Sequence, residues 1–393
     1  MSEAWVAWDL TIGLIVGLLL VDYFFHVRKA HVPTLAEAAA WSAAYIGVAI
    51  LFGVALLVVG GGDLATEYFA GYVTEKALSV DNVFVFLVIM SSFKVPRQDQ
   101  QKVLLVGIAL SLVARTGFIL LGAALIESFA WTFYLFGAAL LVTAGHLLKP
   151  EDEAGEGKKA GNLIVRVARR MFHTTDQYDG DRLFTMRDGK RAMTPMLLVM
   201  VAIGATDILF AFDSIPAIFG LTQNVFIVFS ATALALLGLR QLYFLIDGLL
   251  ERLLYLSYGL AAILGFIGVK LILHALHENS LWLVNGGAPV PVAEIDTGTS
   301  LIVIVVILLV TILISVNSAK GKAKAAVTAL RRHVAEYLDP DFPAGPAQRE
   351  RIYAKLLDAE RRVAALDPQY KRLIRQPHEL RDLVALAHRR HGG

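Results

Sequence analysis

The chain has 393 residues, 56% of them hydrophobic and only 18% charged. Soluble domains carry about a quarter charged residues, and a mean hydropathy of +0.61 excludes an ordinary soluble globule. With no cysteine, disulfides and thiolate metal sites are excluded, and the net charge of +2 carries no information as a sum.

In chain order, apolar runs long enough to cross a bilayer core (about 20 residues each) fall at 7–26, 41–61, 67–92, 103–126, 129–148, 195–219, 224–246, 253–276 and 299–317. The expectation is an all-α polytopic transmembrane bundle of about nine spans. The opening M-S-E-A-W-V-A-W-D lacks a basic n-region, so the first span is read as retained. After Ser318 the pattern turns charged and amphipathic, with a break at D-P-D-F-P-A-G-P. Two domains follow: a membrane domain over 1–318, including a polar loop at 149–194, and a helical tail over 319–393.

Loops alternate in charge. Arg28 and Lys29, then Lys94, Arg97 and Lys102, then the 149–194 segment with its R-V-A-R-R, and finally the tail are basic. The N-terminus and segments 62–66, 127–128, 220–223 and 277–298 contain no Lys or Arg. The positive-inside rule places the N-terminus outside and the tail in the cytoplasm.

Inside the third span stands E-K-A-L-S-V-D-N-V-F, which aligns without gaps on D-I-L-F-A-F-D-S-I-P, 132 residues later. Glu75 falls on Asp207, Asp81 on Asp213 and Asn82 on Ser214. Each copy is followed by two more spans, so the repeats are spans 3–5 and 6–8. Three is odd, and the second copy therefore enters from the opposite side, as in many secondary transporters with a midplane site. A carboxylate at a helix centre costs about 2.5–3.5 kcal/mol, so four cost on the order of 10 kcal/mol before compensation.

Residues six apart lie about 120° around a straight helix, so Glu75 and Asp81 would share one target only if the helix unwinds locally. Pro216 cannot bond back to the carbonyl of Phe212, and this predicts such an opening beside Asp213. The all-oxygen set Glu75, Asp81, Asn82, Asp207, Asp213 and Ser214 suits Mn²⁺, Ca²⁺ or Mg²⁺. The competing reading is internal pairing with Lys76, Arg115, Arg240 and Lys270. Asn82 and Ser214 would then be helix–helix hydrogen bonds. Arg115, Lys270 and Asp22 are read as counter-ions or gating charges. Asp22, near His26, Arg28 and Lys29, also reads as capping or interfacial pairing, and His146 as an interfacial histidine.

The two motifs closely resemble the signature segments of the TerC family of bacterial membrane proteins, and the resemblance spans roughly residues 1–318. It takes in L-V-D-Y-F-F-H in the first span and G-V-K in the eighth, with His146 where lysine is expected. The family is associated with tellurium resistance, linked to manganese export and related to LysE-type exporters. The resemblance implies a multi-pass protein of the cytoplasmic membrane that exports Mn²⁺, with Glu75, Asp81, Asp207 and Asp213 matching the motif acids. Proton exchange follows from carboxylate chemistry. Alternatives are a Ca²⁺/cation antiporter, and a scaffold that delivers metal to a membrane or secreted protein partner. Enzymatic activity is not expected: the Y-D and G-x-G-D contexts of intramembrane aspartyl proteases are missing. Neither a resident cofactor nor a nucleic-acid partner is expected, and the surrounding partner is the lipid bilayer.

Overall fold

The structure is a computed structural model that describes residues 2–27, 33–93, 95–96, 99–129, 131–148, 178, 180, 182–187, 190–246, 255–279, 282, 284–338, 346–368 and 377–392. It is an all-α polytopic membrane protein. The described helices are α1 (Ser2–Asp22, prolonged by a π turn Tyr23–Val27), α2 (Leu35–Ser92), α3 (Gln100–Ser128), α4 (Thr132–Leu147), α5 (Pro195–Phe219), α6 (Val225–Leu237), α7 (Leu239–Ile246), α8 (Leu256–His277), α9 (Thr297–Asn317), α10 (Ala319–Leu338), α11 (Pro346–Ala364) and α12 (Pro377–Gly392). Among the described residues, seven helices are long and apolar enough to cross a membrane, and α4 is a shorter apolar one.

One of the seven, Ala36–Ser92, has 57 residues. Straight, it would measure about 85 Å, nearly three hydrocarbon cores. It is not straight. Gly61 holds φ +87° and ψ 178°, a region open essentially only to glycine, and the helix doubles back there. Tyr68, seven residues past the bend, donates its hydroxyl to the carbonyl of Ala49 at 3.0 Å, and its ring lies 5.2 Å from that of Phe52. The two limbs thus supply the second and third crossing segments, and α4 supplies a further short one. At its start, Thr34 accepts from the amide of Glu37 at 3.2 Å, the side-chain half of a capping box.

The chain divides into two compact units, Met1–Asp247 with Ser257–Leu309, and Gly248–Leu256 with Val310–Gly393. In the first, the second limb of α2 packs on α6, while α5 packs on α3. Gly71 lies against Ala231 and Ile218, and Gly107 against Ile203. The first helix of each repeat therefore lies on the second helix of the other, the packing that a twofold axis in the membrane plane produces. The third helices meet backbone to backbone: a Cβ on Gly137 would lie 2.9 Å from the carbonyl oxygen of Gly268, and one on Gly268 would lie 3.0 Å from that of Gly137. Small residues are what permit such approach in lipid. Valines 58 and 59, at 80% and 88% exposure, typify the outward apolar face.

Two expectations need correction. α5 runs unbroken through Pro216, and α2 stays helical from Gly62 to Ser92, so neither motif unwinds. The break lies in the seventh span instead, at Gly238 between α6 and α7. In addition, the 149–194 segment contains a hairpin of β1 (Phe184–Arg187) and β2 (Lys190–Met193), with Arg187 opposite Lys190. The Asp188-Gly189 dipeptide between short strands is a hairpin signal that was open to reading. Residues 149–177, including the R-V-A-R-R run, lie outside the described residues.

In the second unit, α10, α11 and α12 bury Val327, Leu330, Val334, Leu356, Ala359, Leu380, Val384 and Ala387 together. At one end Tyr353 stacks on His391 at 3.5 Å. Tyr353 bonds His388, whose other ring nitrogen meets Glu360 at 3.1 Å.

Candidate functional site

α3 carries Arg115 fifteen residues from its start, about 22 Å along the helix, too deep for the guanidinium to reach water at the membrane surface. It is fully buried and must find its acceptors inside. Asp207 on α5 takes two of its donors, Nε at 3.1 Å and Nη2 at 3.4 Å. This is the two-pronged geometry that suits guanidinium and carboxylate. Nη1 donates to the hydroxyl of Ser214 at 2.9 Å and to Oε1 of Glu75. Ser214 is seven residues beyond Asp207, two turns along the same helix face.

Two carboxylates therefore share one guanidinium at 0–1% exposure, and with both ionised the three groups sum to one negative charge. Glu75 Oε2 has no hydrogen-bond partner. Lys76 gives its hydrogen bond elsewhere, Nζ donating to the carbonyl of Ala235 at 3.1 Å at the C-terminal end of α6, where the helix dipole favours a cation, and it stays near enough to Glu75 to interact electrostatically. A buried carboxylate oxygen left without a hydrogen bond in this setting calls for a proton or a cation.

The structure brings together the first acid of each motif, which the sequence places 132 residues apart, and not the second. Asp213 is half-buried and accepts from Thr143 of α4 at 2.8 Å, with His146 near enough to interact electrostatically. Asp81 is half-buried on a different face of α2 from Glu75. Asn82 is 3% exposed and its amide nitrogen lacks a partner. Among the described residues, no three or more His, Asp and Glu side chains are grouped so as to hold a metal. Lys270 donates to Ser300 at 3.0 Å, with Asp296, Glu294 and Glu67 as its electrostatic neighbours.

Asp22 differs from its expected surface pairing. It is 1% exposed, and one of its oxygens accepts from Tyr45 at 2.6 Å, Arg240 at 2.8 Å and Gln241 at 3.1 Å. Arg240 continues to Gln101 at 2.9 Å. A basic residue near the end of the seventh span was the signal for this partner; the glutamines and Tyr45 gave none.

Outside the spans, the 279–296 segment is tied down over the α8 end. Asn279 donates to the carbonyls of Val284 and Ala288, and His274 meets Glu294 at 2.9 Å. That hydrogen bond holds the Glu294 carboxyl below its usual range.

Residues 60–323 match the model of the integral membrane protein TerC family. The chain belongs to the TerC family. The match starts later than the resemblance in the sequence implied and runs slightly past the last span. An uncharacterised membrane protein of Mycobacterium tuberculosis is 58% identical over 391 residues, covering 99% of this chain and 98% of its own length. A membrane protein of Myxococcus xanthus, also uncharacterised, is 39% identical over 267 residues, 67% of this chain and 82% of its own. Alx of Escherichia coli, named as a candidate membrane-bound redox modulator, is 41% identical over 266 residues, 65% of this chain and 82% of its own. No solved structure matches.

Proposed function

We propose that this TerC protein is a secondary transporter that exports a divalent cation, Mn²⁺ foremost, from the cytoplasm in exchange for protons. The observation that carries the reading is the charge imbalance at mid-membrane: repeat-related Glu75 and Asp207 share the single guanidinium of Arg115 and leave one carboxylate oxygen unpartnered. Hard oxygen donors suit Mn²⁺, Ca²⁺ and Mg²⁺. The resting site is held by Arg115, and an arriving cation takes over both carboxylates. Asp81, Asn82 and Asp213 serve as approach and release ligands on either side, and Asp22 with Arg240 and Lys270 with Ser300 as positioning charges. On the charge distribution of the loops, the N-terminus is outside and the tail cytoplasmic, in a bacterial inner membrane.

The redox label of Alx translates poorly to this chain's own residues, since without cysteine it has no thiol chemistry. The reading is of a carrier and not an enzyme. The deciding experiment is ⁵⁴Mn²⁺ flux in proteoliposomes, comparing the unsubstituted protein with Glu75→Gln, Asp81→Asn and Asp213→Asn at equal folded yield. Flux lost in all three supports the reading. A protein that moves no metal, or variants that move it normally, sinks it in favour of a scaffold or metal-delivery role. Suppression by Ca²⁺ in preference to Mn²⁺ would make it a Ca²⁺ antiporter.

A further inference from the structure

Hydroxyls in a dry helix have a ready partner, the carbonyl four residues back. Thr11, Thr66, Ser92, Thr116 and Thr206 all use it, at 2.7–2.8 Å. Ser79 and Ser111 do not. They are 0% and 3% exposed, and neither hydroxyl has any hydrogen-bond partner. Asn82 leaves its amide nitrogen unpartnered at 3% exposure, and Glu75 leaves Oε2 unpartnered at 0%.

These atoms are not scattered. Glu75, Ser79, Asn82 and Phe86 stand at i, i+4, i+7 and i+11, a single stripe about 60° wide on α2. Ser111 stands one turn before Arg115 on α3. The second limb of α2 and α3 are joined by a short connection, Phe93–Asp99, and run in opposite directions. One turn forward from Glu75 and one turn back from Arg115 therefore lead the same way, toward that basic connection. Their backbones do not pack closely on one another; α5 and α6 pack against both, and the Arg115 side chain bridges the interval. Thr74 and Thr232, also unpartnered, belong instead to the contact between α2 and α6.

Buried polar atoms without partners are rare because each gives up its hydrogen bonds to water with nothing in return, and a row of four along one interval calls for water or an ion. We infer that Glu75, Ser79 and Asn82 of α2, with Ser111 of α3, line a hydrated half-path from the basic loop side to the Glu75 carboxylate, occupied by water and a hard divalent cation. Phe86, 1% exposed and one turn beyond Asn82 on the same stripe, is its plug in this conformation. The occupant rests on the transport reading; the path does not.

The absence of cysteine makes the test clean. Single Ser79→Cys, Asn82→Cys and Ser111→Cys variants are reacted in oriented vesicles with a membrane-impermeant cationic methanethiosulfonate, beside Val83→Cys at a dry buried position. Because thiolate forms in water and not in apolar surroundings, the three should react about tenfold or more faster than Val83→Cys. Adding Phe86→Ala should accelerate them further, and Mn²⁺ should slow them. Hydroxyl-radical labelling of the unsubstituted protein, expected at Phe86 and Met90, reads the same water without a substitution. Rates at the Val83 level with and without Phe86→Ala, together with unlabelled Phe86 and Met90, overturn the path. Fast labelling that neither Mn²⁺ nor Ca²⁺ slows keeps the path and overturns the cation as its occupant.

Discussion

Arg115→Met is the perturbation that reads the mid-membrane cluster most directly. The guanidinium is wholly buried and bonds Asp207 twice, Glu75 once and Ser214 once. Removing one partner of a buried ion pair costs about 3–5 kcal/mol, because the other charge is left uncompensated. Here two carboxylates are left, so the expected loss lies at the upper end, about three and a half decades in the unfolding equilibrium. Glu75→Gln is the contrasting change. It leaves one carboxylate on one guanidinium, a balanced pair, and removes a single hydrogen bond, so the loss should be about 1–2 kcal/mol. The triple variant Arg115→Met, Glu75→Gln, Asp207→Asn should recover most of the loss, since neutral groups replace the charges together. Unfolding by denaturing detergent in mixed micelles, followed by tryptophan fluorescence, measures all three. If Arg115→Met is no less stable than Glu75→Gln, the guanidinium does not compensate two charges and the cluster has been misread.

Three further outcomes follow from local geometry. Gly61→Ala forces a Cβ onto a backbone at φ +87° and should cost about 1–3 kcal/mol, seen in the same unfolding assay. It should also loosen the Tyr68–Ala49 contact. A Cβ at Gly238 would come within 2.7 Å of the Lys76 ammonium, so Gly238→Ala should displace Lys76 from the Ala235 carbonyl at a cost of about 1 kcal/mol; in a Lys76→Met background the cost should vanish. Glu294, held below its usual range by the His274 hydrogen bond, has a depressed folded value. Its contribution is therefore present above the unfolded carboxylate value near pH ~4.3 and lost as pH falls through the lower folded value. The amide of Val290, bonded to Leu276 at 2.9 Å, should keep its exchange protection from pH 7 to 5 and lose it only below 4; a His274→Ala variant protected to the same degree would count against this.

What was legible in the sequence was what composition and repetition carry. Apolar runs marked the crossing segments, and the shared x5 spacing of Glu75/Asp81 and Asp207/Asp213 marked the repeat. The contacts were not legible, for a physical reason. Asp207 meets Arg115 across 92 positions of chain and Glu75 meets it across 40, and periodicity fixes which face a side chain occupies without fixing what faces it. The expected unwinding at Pro216 failed because a proline near a helix end removes one hydrogen bond without forcing the next turn open. The turn at Gly61 was legible as the end of the second span at residue 61; its form was not, since the helix resumes at once after a single glycine where a loop over 62–66 was expected. Ser79 and Ser111 passed unnoticed because serine in a span is ordinary. Only the missing bond distinguishes them.

The charge at the cluster also sets a coupling ratio for the proposed exchange. With Arg115 in place, Glu75 and Asp207 leave one negative charge, which one proton neutralises. With the guanidinium displaced into the hydrated path inferred above, where water and not the cluster carries its charge, the same two carboxylates are neutralised by one divalent cation. The low-dielectric interior strongly disfavours any state with net charge, so the two neutral states exchange one M²⁺ for one H⁺ at this cluster. Such a cycle moves one net positive charge outward per turnover. In proteoliposomes clamped with potassium and valinomycin, Mn²⁺ efflux should then rise when the compartment that contains the cation is made positive, and proton uptake should equal metal release. A flux indifferent to voltage with two protons per ion would show that a second acid, Asp81 or Asp213, titrates in the same cycle, and that the balance struck at Arg115 does not set the stoichiometry.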